Sequence, residues 1–503
     1  MTRKNNNPSP PIPVPADFAA LHAAWQGARR HKRPSAGQMA FERQWLDRIS
    51  ELGQRLRAGQ WRPRRAVCFT VARPKLREIH APDFADRVLH HWLVPRLEAI
   101  YEPRFIFDSY ANRVGRGTLA AVERLQGFQR ALRDGAGQGR GWYLQLDIRD
   151  FFYSIHRATL YGLLKGVLQQ RAAARPREAQ VIKGLQSLCH KLLVQPVDAI
   201  DRRARCLHLP RRKQLRHAAP GCGLPIGNLS SQFFANVYLN ELDQFVKHQL
   251  KAGYYLRYMD DFILLAPDPA ILTDWAAQSA DFLQQRLRLQ LKPAQPQPLR
   301  NGVDFLGYRS YPGHRTVRPR VLAHCREKLL DWQARHVQPG GRRCGIAADG
   351  EALSALRSML ASYFGHFGHA QAYRLRRALI DSFPWLKILF DAAALAEGVL
   401  RPRWICPRAA GLHQQLGDLR GDYPNAWIAA ACGYRHWLSV PASGLRRARL
   451  LRAVAPALWR NKRQALTDAG AEWIELGECG WLRHGARLRT IVRWNVAWPE
   501  DEK

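Results

Sequence analysis

The chain has 503 residues, and its 78 Lys and Arg outnumber 41 Asp and Glu to give a formal net charge of +37. That excess suits a protein that neutralises phosphates, and 46% apolar content over this length is enough for two to four packed domains. No apolar run approaches the ~18 residues of a membrane span and no signal-peptide core is present, so the chain is expected in the cytoplasm with no membrane partner.

The polar, Pro-rich stretch Asn5 to Pro15 predicts an arm without fixed structure over residues 1–16. Phe18, Leu21 and Trp25, then Phe41, Trp45, Ile49 and Leu52, recur at helical spacing and predict packed helices over 17–60. Further on, apolar residues from Trp142 lead to Asp147 at the end of a strand, and aromatic residues with a helical pattern follow. Alone, Asp147 reads equally well as a helix cap or a salt-bridge partner. The basic runs Arg202-Arg203-Ala204-Arg205 and Arg211-Arg212-Lys213 come next; each reads as a solvated loop or as a contact for a phosphate backbone. Residues 221–236 are a Gly/Pro loop leading into an amphipathic helix, a backbone able to approach a base pair closely.

The segment Tyr254-Tyr255-Leu256-Arg257-Tyr258-Met259-Asp260-Asp261-Phe262-Ile263-Leu264-Leu265 predicts a β-hairpin with two carboxylates at its turn. Adjacent Asp side chains repel, and burying an unpaired charge costs several kcal/mol, so such a turn implies a counter-cation. Hard oxygen ligands favour Mg²⁺. A lone Asp-Asp pair would read as a solvated turn; this one follows a strand that ends in a third Asp.

Residues 315–400 read as helical, interrupted by a flexible loop at Pro339-Gly340-Gly341-Arg342-Arg343. His366 and His369 share a helix face, but with no acidic or thiol partner nearby they are not expected to bind metal. Tyr423 to Ile428 reads as a strand start, Leu445 to Gly470 as an Arg-rich amphipathic segment broken by Pro456, and Glu472 to Trp494 as strands. The nine scattered cysteines include no C-x-x-C pair, which supports neither a disulfide framework nor a zinc ribbon.

In their order, the segments around Asp147, Ile226-Gly227 and Asp260-Asp261 resemble motifs A, B and C of a reverse transcriptase palm. Arg73-Pro74-Lys75-Leu76-Arg77-Glu78-Ile79 resembles the fingers strand that holds the incoming triphosphate. Gly302-Val303-Asp304-Phe305-Leu306-Gly307-Tyr308 resembles the primer grip. The resemblance, from about residue 60 to about 400, implies an α+β right-hand polymerase. Its fingers would be 61–140, its palm 141–308 (an antiparallel sheet with packed helices) and its helical thumb 309–400. A basic α/β accessory domain over 401–503 faintly resembles the DNA-contacting first domain of MutS-type proteins.

Carried over position by position, the resemblance implies that Asp147 and Asp260 bind two Mg²⁺ (or Mn²⁺) ions, with Asp261 assisting and the Ile148 carbonyl completing one shell. Lys75 and Arg77 would neutralise the triphosphate, and Phe152 would exclude a ribose 2′-hydroxyl. Ile226, Gly227 and Gln232 would line the nascent base pair, and Phe305, Leu306, Gly307 and Tyr308 would seat the primer. The family's usual Lys after the palm has no clear match in Leu291-Lys292-Pro293-Ala294-Gln295-Pro296; Lys292 is the nearest residue.

Most reverse transcriptases open motif B with Gln-Gly and close it with Ser-Pro, whereas here Ile226-Gly227 and Ser231-Gln232 stand. That pattern, with residues 108–118 and 362–370, resembles the reverse transcriptases of diversity-generating retroelements. These make cDNA from a template-repeat RNA with frequent errors opposite adenine, and so diversify a target gene. The implied partners are the RNA template, a DNA or RNA primer, dNTPs and a small basic accessory variability protein. A retron, group II intron or phage-defence enzyme is the first alternative. A non-catalytic RNA-binding scaffold is the second, and the intact Asp147, Asp260 and Asp261 argue against it.

Overall fold

The computed structural model describes residues 12–497 except 31–33, 73–74, 136–140, 196–199, 202–208, 341–342, 404–415, 418, 422, 433–434, 440, 442–449 and 484–485. Most of the expected N-terminal arm, Arg73-Pro74 and the run Arg202-Arg203-Ala204-Arg205 therefore lie outside the described residues. The architecture is α+β, and the chain forms two compact units. The first comprises Met1–Val303 with Tyr311–Gly313; the second comprises Asp304–Ser310 with His314–Lys503.

In the first unit, the Asp17 carboxylate accepts from the Ala20 N–H at 2.6 Å and starts the helix Phe18–Arg29. Leu21, Ala24, Trp25 and Ala28 face inward, and Trp25 stacks on Trp45 with ring centroids 5.0 Å apart. The expected apolar stripes are core, except that Phe18 remains 43% exposed. These helices pack on the long helix Phe84–Tyr101, which in turn packs on helix Leu229–Gln244.

Strands β1 (Val67–Val71) and β2 (Arg77–Ala81) pair antiparallel, with the short β4 (Ile200–Asp201) parallel to β1. A second, antiparallel sheet joins β3 (Trp142–Asp147), β5 (Tyr254–Tyr258), β6 (Asp261–Ala266) and β7 (Gln297–Pro298) in the order β5-β6-β3-β7. Phe262 to Ala266 are all buried, as an unbroken apolar run in a central strand requires. The register sets Asp147 directly opposite Asp261.

Apart from Val303, a small sheet of β8 (Val303–Phe305), β9 (Tyr308–Ser310) and β10 (Arg315–Val317) lies in the second unit. Helices Pro319–His336 and Gly350–Gly368 follow. Between them, where the sequence predicts a flexible loop, lie strands β11 (Val337–Gly340) and β12 (Arg343–Ala347). With β13 (Trp427–Cys432), β14 (Arg435–Ser439), β15 (Leu450–Val454), β16 (Trp473–Arg483) and β17 (Ala486–Ala497) they build a seven-stranded sheet, β11-β12-β17-β16-β13-β14-β15. Pro339 and Gly340 thus pair with Cys344 and Arg343 in an antiparallel ladder, and the Gly341-Arg342 part of the expected loop lies outside the described residues. Strand β12 gains a ladder with β17 that local sequence does not disclose. Pro456 opens the helix Pro456–Asp468 at its first turn, where a missing N–H costs nothing, rather than interrupting a helix.

Ile346, Leu353 and Leu356 share one core with Ile428, Ile474, Leu476 and Trp494, so the expected boundary at residue 400 falls inside this unit. Among the described residues, no helix is long and apolar enough to cross a membrane. A chain ending at residue 400 would expose the β12 edge and the apolar face that Ile474, Leu476 and Trp494 cover. We expect it to melt several degrees lower than the full chain or to aggregate, as read by thermal unfolding and size-exclusion chromatography. An unchanged melting temperature and monomeric elution would contradict this packing.

Candidate active site

The hairpin of β5 and β6 turns at Met259-Asp260, and Met259 adopts a left-handed φ of 57°. A non-glycine residue there is disfavoured by about 1–2 kcal/mol, so something must hold it. The Arg257 guanidinium does so: Nη1 donates to the Met259 carbonyl at 2.9 Å. Its Nε and Nη2 donate to Asp243 at 2.8 and 2.6 Å, and further bonds reach Ser109 Oγ and Asn236 Oδ1. The Tyr255 hydroxyl also donates to Asp243, at 2.6 Å. Arg257 and Asp243 are both fully buried, a placement that only such complete hydrogen bonding sustains. Neither was evident as a support residue in sequence, although an Arg within an apolar strand is itself a signal of a buried partner.

The three carboxylates converge on the adjacent ends of β3 and β6. The Ile148 N–H reaches the Asp260 carbonyl at 3.4 Å, and Gln145 Nε2 donates to both Asp261 oxygens at 3.0 and 2.9 Å. Burial, reinforced by the Asp147 charge, raises the Asp260 carboxyl. Burial, with the charges of Asp147 and Asp260, pushes Asp261 up to about 6 against the opposing Gln145 hydrogen bond. Lys292 is fixed beside them: its N–H donates to the Asp147 carbonyl at 2.9 Å and its Nζ to Asp147 Oδ2 at 2.6 Å. Asp147 Oδ1 is buried without a hydrogen-bond partner among the described residues. A cluster of oxygen donors with one orphaned oxygen and raised carboxyl pKa values fits a hard divalent cation.

A cleft of about 220 Å³ opens beside this cluster. Of the predicted site residues, Lys75, Arg77, Asp147, Ile148, Phe152, Ile226 and Asp260 line it. Asp261 stands outside the lining on β6. Gly227 also lies outside it, but its φ of 119° and bare Cα let the loop lie on β2. A Cβ there would sit 2.9 Å from Ile79 Cγ2, and the His80 N–H donates to the Ile226 carbonyl at 2.7 Å. The close approach is therefore to a protein strand. Gln232 lies one turn into helix Leu229–Gln244, away from the cleft lining. Asp150, Met259, Lys213 and Tyr153 line the cleft without having been singled out as site residues.

Phe305, Leu306, Gly307 and Tyr308 belong to the second unit. There Leu306 and Gly307 have φ of 48° and 93°. Tyr308 stacks on His366 with centroids 4.1 Å apart, and its hydroxyl donates to the His366 carbonyl at 3.0 Å. His366 Nε2 also lies 3.3 Å from the Gly307 carbonyl. His366 thus braces this turn, a role that sequence spacing did not suggest.

Residues 71–310 match the family of reverse transcriptases (RNA-dependent DNA polymerases). This part of the chain is a reverse transcriptase domain. It is similar to the group II intron-encoded protein LtrA of Lactococcus lactis subsp. cremoris, at 26% identity over 211 residues, 41% of this chain and 29% of that protein. It is also similar to protein YkfC of Escherichia coli K12, at 23% identity over 282 residues, 49% of this chain and 66% of that one. The chain thus spans less than a third of the length of LtrA. Among solved structures, apo telomerase from Candida tropicalis aligns with a TM-score of 0.39 and 9% identity, over 60% of this chain and 52% of that one. Telomerase from Candida albicans in complex with a TWJ fragment of telomeric RNA aligns with a TM-score of 0.36 and 11% identity, over 71% and 64%.

The reverse transcriptase domain keeps its carboxylates at a cost in stability. The folded chain holds the Asp261 proton to higher pH than the unfolded chain does, so the Asp261 charge opposes folding above about pH 6 and ceases to as pH falls towards 4. Asp261→Asn should raise the metal-free melting temperature at pH 7.5 by a few degrees, on the order of 1–2 kcal/mol after allowance for partial exposure. The gain should vanish near pH 4, and calorimetry at the two pH values checks both signs. Asp243→Ala strands the buried Arg257 charge and should cost about 3–5 kcal/mol, measured by urea unfolding.

Proposed function

We infer that the chain copies an RNA template into DNA within a diversity-generating retroelement, with errors concentrated opposite template adenine. The observation that carries this reading is Ile226, an apolar residue lining the cleft beside Asp147, Asp260 and Phe152, where most reverse transcriptases place a glutamine. In this reading residues 61–140 serve as fingers, 141–308 as palm and 309–400 as thumb.

Asp147 and Asp260, with the Ile148 carbonyl, would hold two divalent cations, Mg²⁺ or Mn²⁺, and Asp261 would contribute charge from β6. When bound, the ions lower the pKa of the primer 3′-hydroxyl and stabilise the leaving pyrophosphate. Lys75 and Arg77 orient and neutralise the triphosphate, Arg77 with a guanidinium fork that engages two oxygens at once. Phe152 occupies the space a ribose 2′-hydroxyl would need. Lys292 pairs with Asp147 and balances part of that carboxylate's charge. Phe305 to Tyr308, braced by His366, seat the primer terminus. The net charge of +37 supports binding of a template-repeat RNA and a DNA or RNA primer through phosphates, and specific priming draws on a small basic accessory protein.

A glutamine at position 226 could hydrogen-bond near the nucleotide sugar and the primer-side minor groove, whereas isoleucine adds only apolar bulk. Loss of one such contact is worth on the order of 1–2 kcal/mol, roughly tenfold in discrimination. The adenine–thymine pair, with fewer hydrogen bonds, suffers first. The similarity to LtrA favours a second reading, an intron-type reverse transcriptase without adenine bias. Sequencing cDNA made on one RNA template by the wild type and by Ile226→Gln separates the two. We expect wild-type errors to concentrate at template adenine and to fall severalfold in the variant. Equal adenine error frequencies in the two forms, with no bias in either, would favour the intron-type reading.

A further inference from the structure

We propose that Lys213 is a third cation for the triphosphate of the incoming nucleotide, and that buried Glu78 is the positioning residue that holds it at the cleft. The proposal rests on the polymerase reading above and adds a residue from outside the fingers strand.

Arg211–Lys213 forms a single helical turn in which Arg211 and Arg212 are exposed, while Lys213 is half-buried and lines the cleft with Lys75 and Arg77. The other lysine of the cleft, Lys292, is already paired with Asp147. Among the described residues, Lys213 has no ion-pair partner. A flexible lysine turned towards solvent would be unremarkable, but this one is anchored two residues further on. The Leu215 N–H donates to Glu78 Oε2 at 2.6 Å, and the Leu215 side chain is buried against Gly223. Gln214, also buried, donates from Nε2 to the Leu209 carbonyl at 2.6 Å and keeps the turn closed.

Glu78 is only 5% exposed and sits on β2 next to Arg77. His80 Nε2 lies 3.1 Å from its second oxygen, and Cys68 Sγ donates to the first at 3.5 Å. Burial pushes the Glu78 carboxyl up, but His80, the Leu215 N–H and Cys68 outweigh it and hold it below the usual carboxylate range. The bond to Leu215 is therefore charge-assisted, and the anchor ties the Lys213 turn to the same strand that carries Arg77. Three cations on two connected segments match the several negative charges of a nucleoside triphosphate better than the two fingers residues alone.

Single-nucleotide incorporation on a defined RNA template with a DNA primer tests the assignment, alongside filter binding of the same duplex. For Lys213→Ala we expect the KM for the dNTP to rise about five- to tenfold, with kcat and duplex affinity within about twofold of wild type. Lys213→Arg should restore most of the loss. Glu78→Gln should raise the same KM, and adding it to Lys213→Ala should raise KM no further, because Glu78 acts through Lys213. An unchanged KM in Lys213→Ala, or a weakened duplex with unchanged KM as expected of an RNA-backbone contact, would overturn the proposal while leaving the polymerase reading intact. A wild-type protein that extends no primer would overturn both.

Discussion

Three carboxylates meet at the ends of two neighbouring strands, and much of the first unit is arranged to tolerate that. Asp147 and Asp261 face each other across the β3–β6 ladder, with Asp260 in the turn beside them. Burial, reinforced by mutual repulsion, raises the Asp260 and Asp261 carboxyls, which is the opposite of what stability alone would select. The conflict makes sense where a divalent cation completes the site, since two or three such oxygens supply the charge and the hard donors it needs.

The tolerance is built from Arg257 and Gln145, which do not themselves line the cleft, and from Lys292, which does. Arg257, locked to Asp243, Asn236 and Ser109, holds the Met259 carbonyl and with it the left-handed turn that presents Asp260. Gln145 satisfies both oxygens of Asp261 from the adjacent strand. Lys292 reaches Asp147 because its own backbone is hydrogen-bonded to the Asp147 carbonyl, so its position does not depend on a flexible side chain finding its partner. On the far wall, β2 brings Arg77 to the cleft and Gly227 lets the Ile226 loop lie against that strand. Cleft-lining side chains from three distant stretches of sequence are thereby fixed by backbone contacts.

Much of this was legible in the sequence where chemistry is concentrated locally. The Asp-Asp pair between β-favouring runs gave the hairpin, and its order after the Asp147 strand gave the convergence of carboxylates. What escaped depends on pairing across long separations. Lys213 read as one of a basic run, solvated or against a phosphate backbone, because the buried anchor of its turn is Glu78, well over a hundred positions earlier. The Pro-Gly-Gly stretch looked flexible, because the strand that completes β12 is β17, at the other end of the unit. Gln232 and Gly227 matched a motif, yet neither is among the residues that line the cleft. A motif fixes residue order, while the lining of a cleft depends on side-chain direction.

We propose that Asp147 and Asp260 form the cation site of an RNA-templated DNA polymerase. Primer extension on an RNA template in Mg²⁺, run with the wild type, Asp147→Asn and Asp260→Asn, tests it most directly when paired with a melting curve for each protein. The account predicts wild-type extension that chelation abolishes, and variants that melt at or above the wild-type temperature yet extend at a rate lower by several orders of magnitude. Either variant, folded as the wild type and extending the primer at the wild-type rate, would contradict it.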